Sequence, residues 1–435
     1  MKKIPEFVNT KESAAKVSRL SEEVLDTTDD FGVKLSGVSR RDFMRISSRY
    51  GMTATYAAAA TMGGMFSAEA LAQTANTKYQ KKFATKAKHV LKQGSVFRWE
   101  HTKVQRVGIW EFCQDLEERT DGEIRVEILP GNSVCAEPVC IQKTMQGVLD
   151  IGTSSTQNAS GIVPWLNALD FPYMFQSAGQ IYHFMFNPKS EQLFRKVYRE
   201  KYKLETLWSL CEMRQLFMGM KWKDKPPITN IGMLAGTKNR VTNTQLGRIA
   251  MQLMKLNPVP VAWVETLDAM KSGLIDGMET WTSAATAFNM APVISQYVGL
   301  KFIPGTEHSA IRVQTLDKLG SRLADEVMEA GYQAQAKVMY NNEAGLVTIS
   351  GETPNPSPDS IFGKTGTVMN FFSDAALKEA EETASPTRPE YNTWHEKLNK
   401  LGGYDVYKEM LPVVREYPKD KPAIDVEPRR WWKSA

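Results

Sequence analysis

The stretch GTKNRVTNTQLGRIAMQLMKLNPVPVAWVETLDAMKSGLIDGMETW, residues 236–281, predicts a strand, a helix, a strand, a helix and a strand in that order. Pro258 ends the first helix, because proline cannot continue it, and Val259–Val261 is predicted as the short buried strand that follows. Helices that alternate with short strands are typical of a parallel sheet. The stretch therefore predicts an α/β fold.

The carboxyl edge of this predicted sheet carries candidate ligand-binding residues. In parallel sheets the ligand lies beyond the carboxyl ends of the strands, where the pattern places Arg240, Trp263 and Thr280. A guanidinium offers a rigid, permanently charged fork of donors that matches a carboxylate. Arg240 is therefore the first candidate for binding an anion.

An earlier segment predicts the same kind of architecture. Ser95–His101 is predicted as the first strand. An amphipathic helix with Val107, Ile109 and Phe112 on its apolar face follows, and Ile124–Leu129 is the next strand. These elements predict a βαβ unit at the start of the fold.

Five short motifs stand in a fixed order along the chain. They are TDGEI at 120–124, GVLDIG at 147–152, LDFPYMF at 169–175, GTKNRV at 236–241 and ETLDAMKSGLIDGME at 265–279. Together they resemble the solute-binding subunits of TRAP (tripartite ATP-independent periplasmic) transporters, the dicarboxylate-binding-subunit family. In that family a G-x-K-x-R-V motif precedes a helix, and an E-x-x-x-A-M/L-x-x-G-x-I/V-D-G-x-E segment follows it. The resemblance extends over residues 94–313 and fades toward the C-terminus.

The resemblance implies a two-lobed periplasmic binding protein fold, α/β, with a hinge between two mixed or parallel sheets covered by helices. Closure about such a hinge buries a ligand. The implied division is a signal peptide at 1–72, domain I at 92–211 and 307–345, and domain II at 212–306 and 346–435, which includes a C-terminal tail packed back on domain II. That tail, with Trp431 and Trp432, departs from the family, and no role is assigned to it.

The resemblance also assigns ligand-binding residues one at a time. Arg240 matches the arginine that forms a salt bridge to a substrate carboxylate, and a surface or structural arginine is the alternative. Arg214 resembles a second ligand-facing arginine, but Glu212 replaces the glycine before it, so a structural role is equally open. The weaker candidates are Trp263 as an aromatic wall or a core residue, Thr280 in place of a ligand-binding asparagine, and Ser155 in the loop after Asp150-Ile151-Gly152.

The first part of the chain predicts export. Arg40 and Arg41 lie in SRRDFMR, residues 39–45, which looks like a twin-arginine motif. An alanine- and glycine-rich run follows at 51–68, and Ala70-Leu71-Ala72 is a small-x-small cleavage site. The alternatives are ordinary Sec export and a retained anchor, for which the run is too polar. We expect a periplasmic protein that the twin-arginine translocase exports.

The four cysteines predict at most one disulfide. Cys135 and Cys140 bracket four residues in a loop-like stretch, and an oxidising periplasm would permit a bridge between them. Two free or otherwise paired thiols are the alternative, because connectivity cannot be read from sequence. Cys113, on a predicted helix, and Cys211, in a predicted strand, are expected in the core. No second closely spaced pair completes a zinc site.

Composition and motifs separate three classes of function. The net charge of +5 comes without a basic run interleaved with aromatic residues, which argues against a nucleic-acid binder. An exported enzyme is the rival class, and Asp276 and Glu279 could be offered as its acid and base. The sequence has no G-x-G-x-x-G after the first strand, no cysteine set for a redox cofactor and no G-x-S-x-G turn.

The third class is a periplasmic sensor or adaptor of the same fold. A permease gene beside this one would indicate a transport protein and not a sensor. The sequence thus predicts a solute-binding protein without a cofactor. It would capture a small organic acid and present it to the membrane permease subunits of a TRAP transporter.

Overall fold

The structure, a computed structural model, describes residues 86–97, 108–242 and 244–433. The predicted leader with Arg40 and Arg41, and most of the predicted first strand, lie outside these residues. Among the helices in the described part of the chain, none is both long and apolar enough to cross a membrane.

Nine strands of the described part of the chain form one mixed sheet. They are β1 (His89–Gly94), β2 (Ile124–Leu129), β3 (Ile151–Ser155), β4 (Leu204–Gly219), β5 (Lys238–Val241), β6 (Asn257–Pro260), β7 (Gly277–Thr280), β8 (Ile294–Arg312) and β9 (Val368–Phe371).

The centre of the sheet is a ribbon of two long antiparallel strands, β4 and β8. β3 pairs antiparallel with residues 307–311 of β8 and continues into β1 and β2, which run parallel to it; we call these three strands the β3 group. β7 pairs antiparallel with residues 215–218 of β4 and continues into the parallel strands β5 and β6, the β7 group. β9 adds a parallel strand beside residues 296–299 of β8. Two parallel groups are therefore attached to opposite ends of one ribbon.

Helices cover this sheet. They are α1 (Ile109–Arg119), α2 (Glu137–Met145), α3 (Thr156–Ala159), α4 (Ala178–Phe186), α5 (Lys196–Tyr202), α6 (Gln245–Leu253), α7 (Trp263–Ser272), α8 (Thr282–Ala287), α9 (Val313–Gly345), α10 (Ile361–Thr365), α11 (Asp374–Thr383), α12 (Asn392–Gly402) and α13 (Val406–Arg415). α9 is interrupted at Gly320, whose φ of 74° lies in the left-handed region that glycine tolerates.

The expected α/β fold is confirmed, and the two expected sheets prove to be hydrogen-bonded into one through the ribbon. The strand–helix order predicted for residues 236–281 is also confirmed, as β5, α6, β6, α7 and β7. β6, however, is a partly exposed edge strand and not a buried one. Its two prolines, Pro258 and Pro260, cannot donate to a second neighbour, and an edge position tolerates them.

The predicted start of the first strand was wrong, because residues 95–97, the described part of the predicted span 95–101, follow the end of β1. β1 ends at Gly94, in register with Leu129 at the end of β2, whereas the sequence pattern placed the strand at 95–101. Val96 and Phe97 produced the apolar pattern, but they are buried beyond the end of the strand. An apolar pattern indicates buried side chains, and here the buried Val96 and Phe97 lie in a loop and not in a strand.

The C-terminal tail packs differently from the expectation. Residues 361–384 do join apolar clusters around the β7 group. From Tyr391 onward, however, the apolar side chains, including Met410 and Trp431, belong to the cluster that contains the β3 group, α1 and α4. The ring of Trp431 lies 4.0 Å from the buried guanidinium of Arg195, and Arg430 pairs with Glu329 at 2.7 Å. The tail is thus fixed to the first half of the chain.

The predicted domain boundaries fall inside the ribbon. Cys211 of β4 lies opposite Thr306 of β8 in the strand register. The two predicted crossings between domains, after Cys211 in β4 and after Thr306 in β8, therefore lie side by side in the ribbon. The division into two domains stays a prediction.

Candidate ligand-binding site

A cavity lies where the carboxyl ends of β3, β5 and β7 approach one another. It encloses about 390 Å³ of empty space, part of it open to solvent. The five residues that the sequence nominated all line it: Ser155 at the end of β3, Arg214 in β4, Arg240 in β5, Trp263 at the start of α7 and Thr280 at the end of β7. The structure therefore brings together residues that are as much as 125 positions apart in the chain.

Strand alternation explains how β5 presents Arg240. Neighbouring side chains in a strand point to opposite faces, so Arg240 and Thr242 share one face and Val241 has the other. Val241 is buried in the apolar cluster of the β7 group. Arg240 and Thr242 turn instead toward the cavity, where Glu279 of β7 meets both of them.

Glu279 is the centre of a buried ion cluster. Its carboxylate is ion paired with Nε of Arg214, and it accepts the backbone N–H of Thr242 at 2.6 Å. Nη1 of Arg240 lies 3.7 Å from Oε1 of Glu279 and donates to the Glu279 carbonyl at 3.1 Å. Nε of Arg240 donates to the carbonyl of Val261 at 3.2 Å. One carboxylate thus serves two arginines.

Each of these arginines has one terminal nitrogen that makes no hydrogen bond with the described residues. Nη1 of Arg214 and Nη2 of Arg240 make no hydrogen bond with the described residues, although the two side chains are each only 4% exposed. The hydroxyl of Thr280 and the amide of Asn158, which also line the cavity, are likewise without a side-chain hydrogen bond to the described residues. The cavity wall therefore offers several hydrogen-bonding groups that the protein itself does not use.

The electrostatics leave the cluster positively charged. Burial lowers the pKa of Arg240 to about 10, and Glu279 opposes that shift, so the guanidinium stays charged at neutral pH. Burial alone would raise the pKa of Glu279, but Arg214 and Arg240 outweigh it and hold the pKa below its ordinary value. Two guanidiniums and one carboxylate give one net positive charge, which a small anion can neutralise.

Aromatic side chains close the remaining sides. The ring of Trp263 lies 5.3 Å from the guanidinium of Arg240 and meets Phe288 edge to face at 5.4 Å. Trp281 lies 5.1 Å from the guanidinium of Arg214. Phe97, after β1, meets Phe288, after α8, with 6.2 Å between ring centres. Such rings exclude water and strengthen the electrostatic interactions inside.

Sequence reasoning missed several residues of the wall, above all Glu137. It is the first residue of α2, with Pro138 next to it, and its Oε1 accepts the backbone N–H of Ser155 at 2.9 Å. The Glu-Pro pair could have located the start of the helix, since proline favours the first helical turn. Nothing in the local sequence places that carboxylate in a cavity with Arg240.

The structure shows the contacts of two further sequence-based candidates, the acid–base pair of Asp276 and Glu279 and the cavity residue Ser155. Asp276 and Glu279, the candidate acid and base, make separate contacts: Asp276 accepts the N–H of Lys238 at 2.9 Å, and Glu279 pairs with the arginines. Ser155 is used structurally, because its Oγ caps α3 by accepting the N–H of Asn158 at 3.2 Å.

The structure joins Cys135 and Cys140 by a disulfide, whose loop contains Glu137. Cys113 and Cys211 are buried free thiols. Burial raises the pKa of both thiols well above the ordinary value, so neither is activated as a nucleophile.

Comparison with known proteins identifies the family. The model of the bacterial extracellular solute-binding proteins, family 7, matches residues 96–345. The chain belongs to this family. Its relatives are solute-binding proteins and not enzymes.

Curated relatives of this family-7 protein are distant. The 2,3-diketo-L-gulonate-binding periplasmic protein YiaO of Escherichia coli K12 is 22% identical over 187 residues, which are 42% of this chain and 54% of the relative. A solute-binding protein of Chromohalobacter salexigens is 27% identical over 168 residues, 39% of this chain and 48% of the relative. The chain thus spans about half the length of the curated relatives it matches.

Solved structures of TRAP periplasmic solute-binding proteins share the fold of this family-7 protein. One from Chromohalobacter salexigens, with bound D-glucuronate, has a TM-score of 0.64 at 19% identity, covering 74% of this chain and 99% of that one. One from Sulfitobacter sp. NAS-14.1, with bound β-D-galacturonate, has a TM-score of 0.61 at 20% identity, covering 75% and 100%. At these identities the likeness shows the fold.

Proposed function

We propose that this family-7 protein captures a small organic carboxylate in the cavity and delivers it to a TRAP-type membrane permease. The observation that carries the proposal is the pair of buried guanidiniums that share Glu279 and leave one terminal nitrogen each uncommitted. Two N–H donors and one net positive charge suit the two oxygens of a single carboxylate. In this reading Arg240 and Arg214 bind the acid, Trp263 packs against it, and Thr280 and Ser155 contact its polar groups.

The ligands of relatives support an acid. The two structural neighbours hold D-glucuronate and β-D-galacturonate, and the Escherichia coli relative is named for 2,3-diketo-L-gulonate. Each of these compounds is a carboxylate with hydroxyl or carbonyl groups along a short carbon chain.

Export and closure complete the proposal. The protein works in the periplasm after twin-arginine export and removal of residues 1–72. Domain I (92–211 and 307–345), on which the tail from residue 391 onward packs, and domain II (212–306 and 346–390, of which residues 361–384 pack on the β7 group) close over the acid by bending at the β4–β8 ribbon. The contact between Phe97 and Phe288 would be made in the closed form.

Native mass spectrometry of the protein purified from its host tests the proposal. We expect a small acid that leaves on mild unfolding and that the Arg240→Ala variant does not retain. Arg248→Ala, which removes a guanidinium from α6 outside the cavity, is the matched control and should retain it. Loss of a partner from a buried charge cluster costs about 3 kcal/mol or more, which is roughly a hundredfold in affinity. Equal retention by all three proteins, or an uncharged ligand, would contradict the proposal.

Delivery to a permease needs a separate measurement. Uptake of the acid so identified into vesicles that contain the cognate permease should require the wild-type protein and fail with Arg240→Ala. Uptake that proceeds equally well without the binding protein would favour the sensor alternative.

A further inference from the structure

Glu137 is the acidic side chain that lines the cavity beside the arginine cluster. It belongs to α2 and is hydrogen-bonded to Ser155 at the end of β3, whereas Arg240 belongs to β5 and Glu279 to β7. The carboxylate of Glu137 and the guanidinium of Arg240 therefore enter the cavity from the two strand groups on opposite ends of the ribbon.

The two oxygens of Glu137 have different surroundings. Oε1 accepts the N–H of Ser155 at 2.9 Å, which fixes the side chain. Oε2 makes no hydrogen bond with the described residues. Burial lowers the pKa of Arg240, and the charge of Glu137 opposes that shift; burial raises the pKa of Glu307, and the charge of Glu137 adds to that shift. A fixed carboxylate with one uncommitted oxygen thus lies within electrostatic reach of the anion-binding arginine.

Charge balance then limits the ligand. The cluster of Arg214, Arg240 and Glu279 carries one positive charge, and Glu137 adds one negative charge to the same cavity. One ligand carboxylate can replace water at the guanidiniums, with Glu137 facing the rest of the ligand. A second ligand carboxylate would leave the filled cavity with a charge of minus two, and repulsion between like charges in a desolvated site opposes binding.

We infer that Glu137 sets the specificity of the site, so that it accepts a monocarboxylate with a hydroxyl group on its distal part and rejects the corresponding dicarboxylate. This inference rests on the proposed carboxylate capture. A carboxylate oxygen is an acceptor only, so Oε2 of Glu137 takes a hydrogen bond from a hydroxyl and has none to give to a carboxylate. The amide of Asn158 and the hydroxyl of Thr280 can donate to the same polyhydroxy chain.

The test uses acids that differ only at the end remote from the first carboxylate. The pairs are D-glycerate with tartronate, L-threonate with L-tartrate, and D-gluconate with D-glucarate, measured by calorimetry against the wild-type protein freed of ligand. We expect at least one hydroxy acid to bind, and its diacid to bind more weakly by about a hundredfold. In Glu137→Gln, which keeps an oxygen for the Ser155 N–H but removes the charge, the difference should shrink to within about threefold.

Two further variants serve as controls for the charge and the position of Glu137. Glu137→Asp keeps the charge and should keep the discrimination even if affinities fall. Glu265→Gln makes the same charge change at an exposed position on α7, outside the cavity, and should leave the ratio of the two dissociation constants unchanged.

The outcomes separate this inference from the proposed function. A diacid that binds wild-type protein as tightly as its hydroxy acid, or a ratio that Glu137→Gln does not change, would overturn the specificity role and leave carboxylate capture intact. Binding of isoserine, which has an ammonium in place of the distal hydroxyl of glycerate, without binding of D-glycerate would make an ammonium the group that Glu137 recognises, and the inference as stated would be wrong. If no acid bound at all, carboxylate capture would fail and this inference with it.

Discussion

Nη1 of Arg240 lies 3.7 Å from Oε1 of Glu279, so the arginine proposed to bind the ligand is itself part of an ion pair within the protein. The same carboxylate is paired with Arg214. Glu279 thereby fixes the positions of both guanidiniums, so these side chains have little conformational freedom to lose on binding. Site geometry and fold stability depend on the same carboxylate.

Arg240→Lys should not behave as a conservative change. Lysine keeps the charge, but an ammonium cannot donate at once to Val261, to the Glu279 carbonyl and to a ligand in the planar geometry that Arg240 uses. We expect calorimetry to show affinity for the native acid reduced by roughly tenfold or more. Affinity within a few-fold of wild type would mean that only charge matters at this position.

Glu279→Gln should destabilise the fold. The amide nitrogen would face the Nε donor of Arg214 and leave two buried guanidiniums without a counter-ion. We expect the free energy of unfolding, measured with urea at pH 7, to fall by about 3 kcal/mol. Because the folded pKa of Glu279 is below 4.5, the wild-type advantage should be present above that pH and disappear as the pH falls through the folded value. Glu265→Gln is the exposed control, and an equal loss in it would refute the explanation.

Glu212→Gln should stabilise the protein at alkaline pH. Burial raises the pKa of Glu212 to about 7, and the nearby carboxylate of Glu352 contributes. Its carboxyl therefore binds a proton more readily in the folded state than in the unfolded chain. The stability that this proton contributes is complete below pH 4.5 and is lost as the pH rises to about 7.

The glutamine resembles the protonated form. Its oxygen can still accept the N–H of Ser283, and Asn342, whose Oδ1 is unpartnered among the described residues, can turn its amide to accept. Thermal melts should coincide with wild type near pH 5 and exceed it at pH 8, by on the order of 1–3 kcal/mol in unfolding free energy. Asp170 and Glu343, whose pKa values burial raises to about 7, titrate in both proteins and cancel in the difference. A difference that does not vary with pH would rule out titration of Glu212.

The Cys135–Cys140 disulfide should stabilise both the fold and the position of Glu137, which lies inside its loop. Closing so short a loop contributes about 2 kcal/mol by the chain-entropy model. We expect the double variant Cys135→Ser, Cys140→Ser to lose that amount in urea titrations and to bind hydroxy acids more weakly. Peptide mapping without reductant should recover the linked pair from exported protein. Two alkylatable thiols would show that the bridge does not form.

Replacing Arg40 and Arg41 together by lysine should block export while preserving charge. The twin-arginine machinery reads the arginine pair itself, so precursor should accumulate in the cytoplasm, as cell fractionation would show. A single lysine substitution at Arg49, outside the motif, is the control. Normal periplasmic yield of the double variant would favour the Sec alternative.

The sequence predicted the α/β fold and the residues that line the cavity better than it predicted the course of the long central strands. Arg240, Trp263 and Thr280 follow from strand ends within one continuous motif, so local spacing was enough to place them on a cavity. The ribbon of β4, with 16 residues, and β8, with 19, was not predicted. Nearly every side chain in these strands is buried, so no alternation of apolar and polar residues remains to mark a strand. Glu137 comes from another part of the chain, and only the pairing of β3 with β8 brings it near Arg240.

The packing of the C-terminal tail could not be predicted from the sequence, for a different reason. Trp431 and Trp432 could be seen as unusual, but a sequence without a helix-long apolar pattern does not say which surface they cover. The answer depends on Arg195, a buried cation from far upstream that Trp431 covers.

The ribbon also has a consequence for biosynthesis. β3 obtains one of its two neighbours only when residues 307–311 have been made, and the apolar cluster of the β3 group includes Trp431, near the end of the chain. A ribosome must therefore synthesise the chain as far as Trp431 before the core around the β3 group can be completed. Translocation as an unfolded thread, N-terminus first, would postpone all of that assembly to the far side of the membrane. A twin-arginine leader, which suits cargo that folds before it crosses, would let the cytoplasm and its chaperones finish the sheet first.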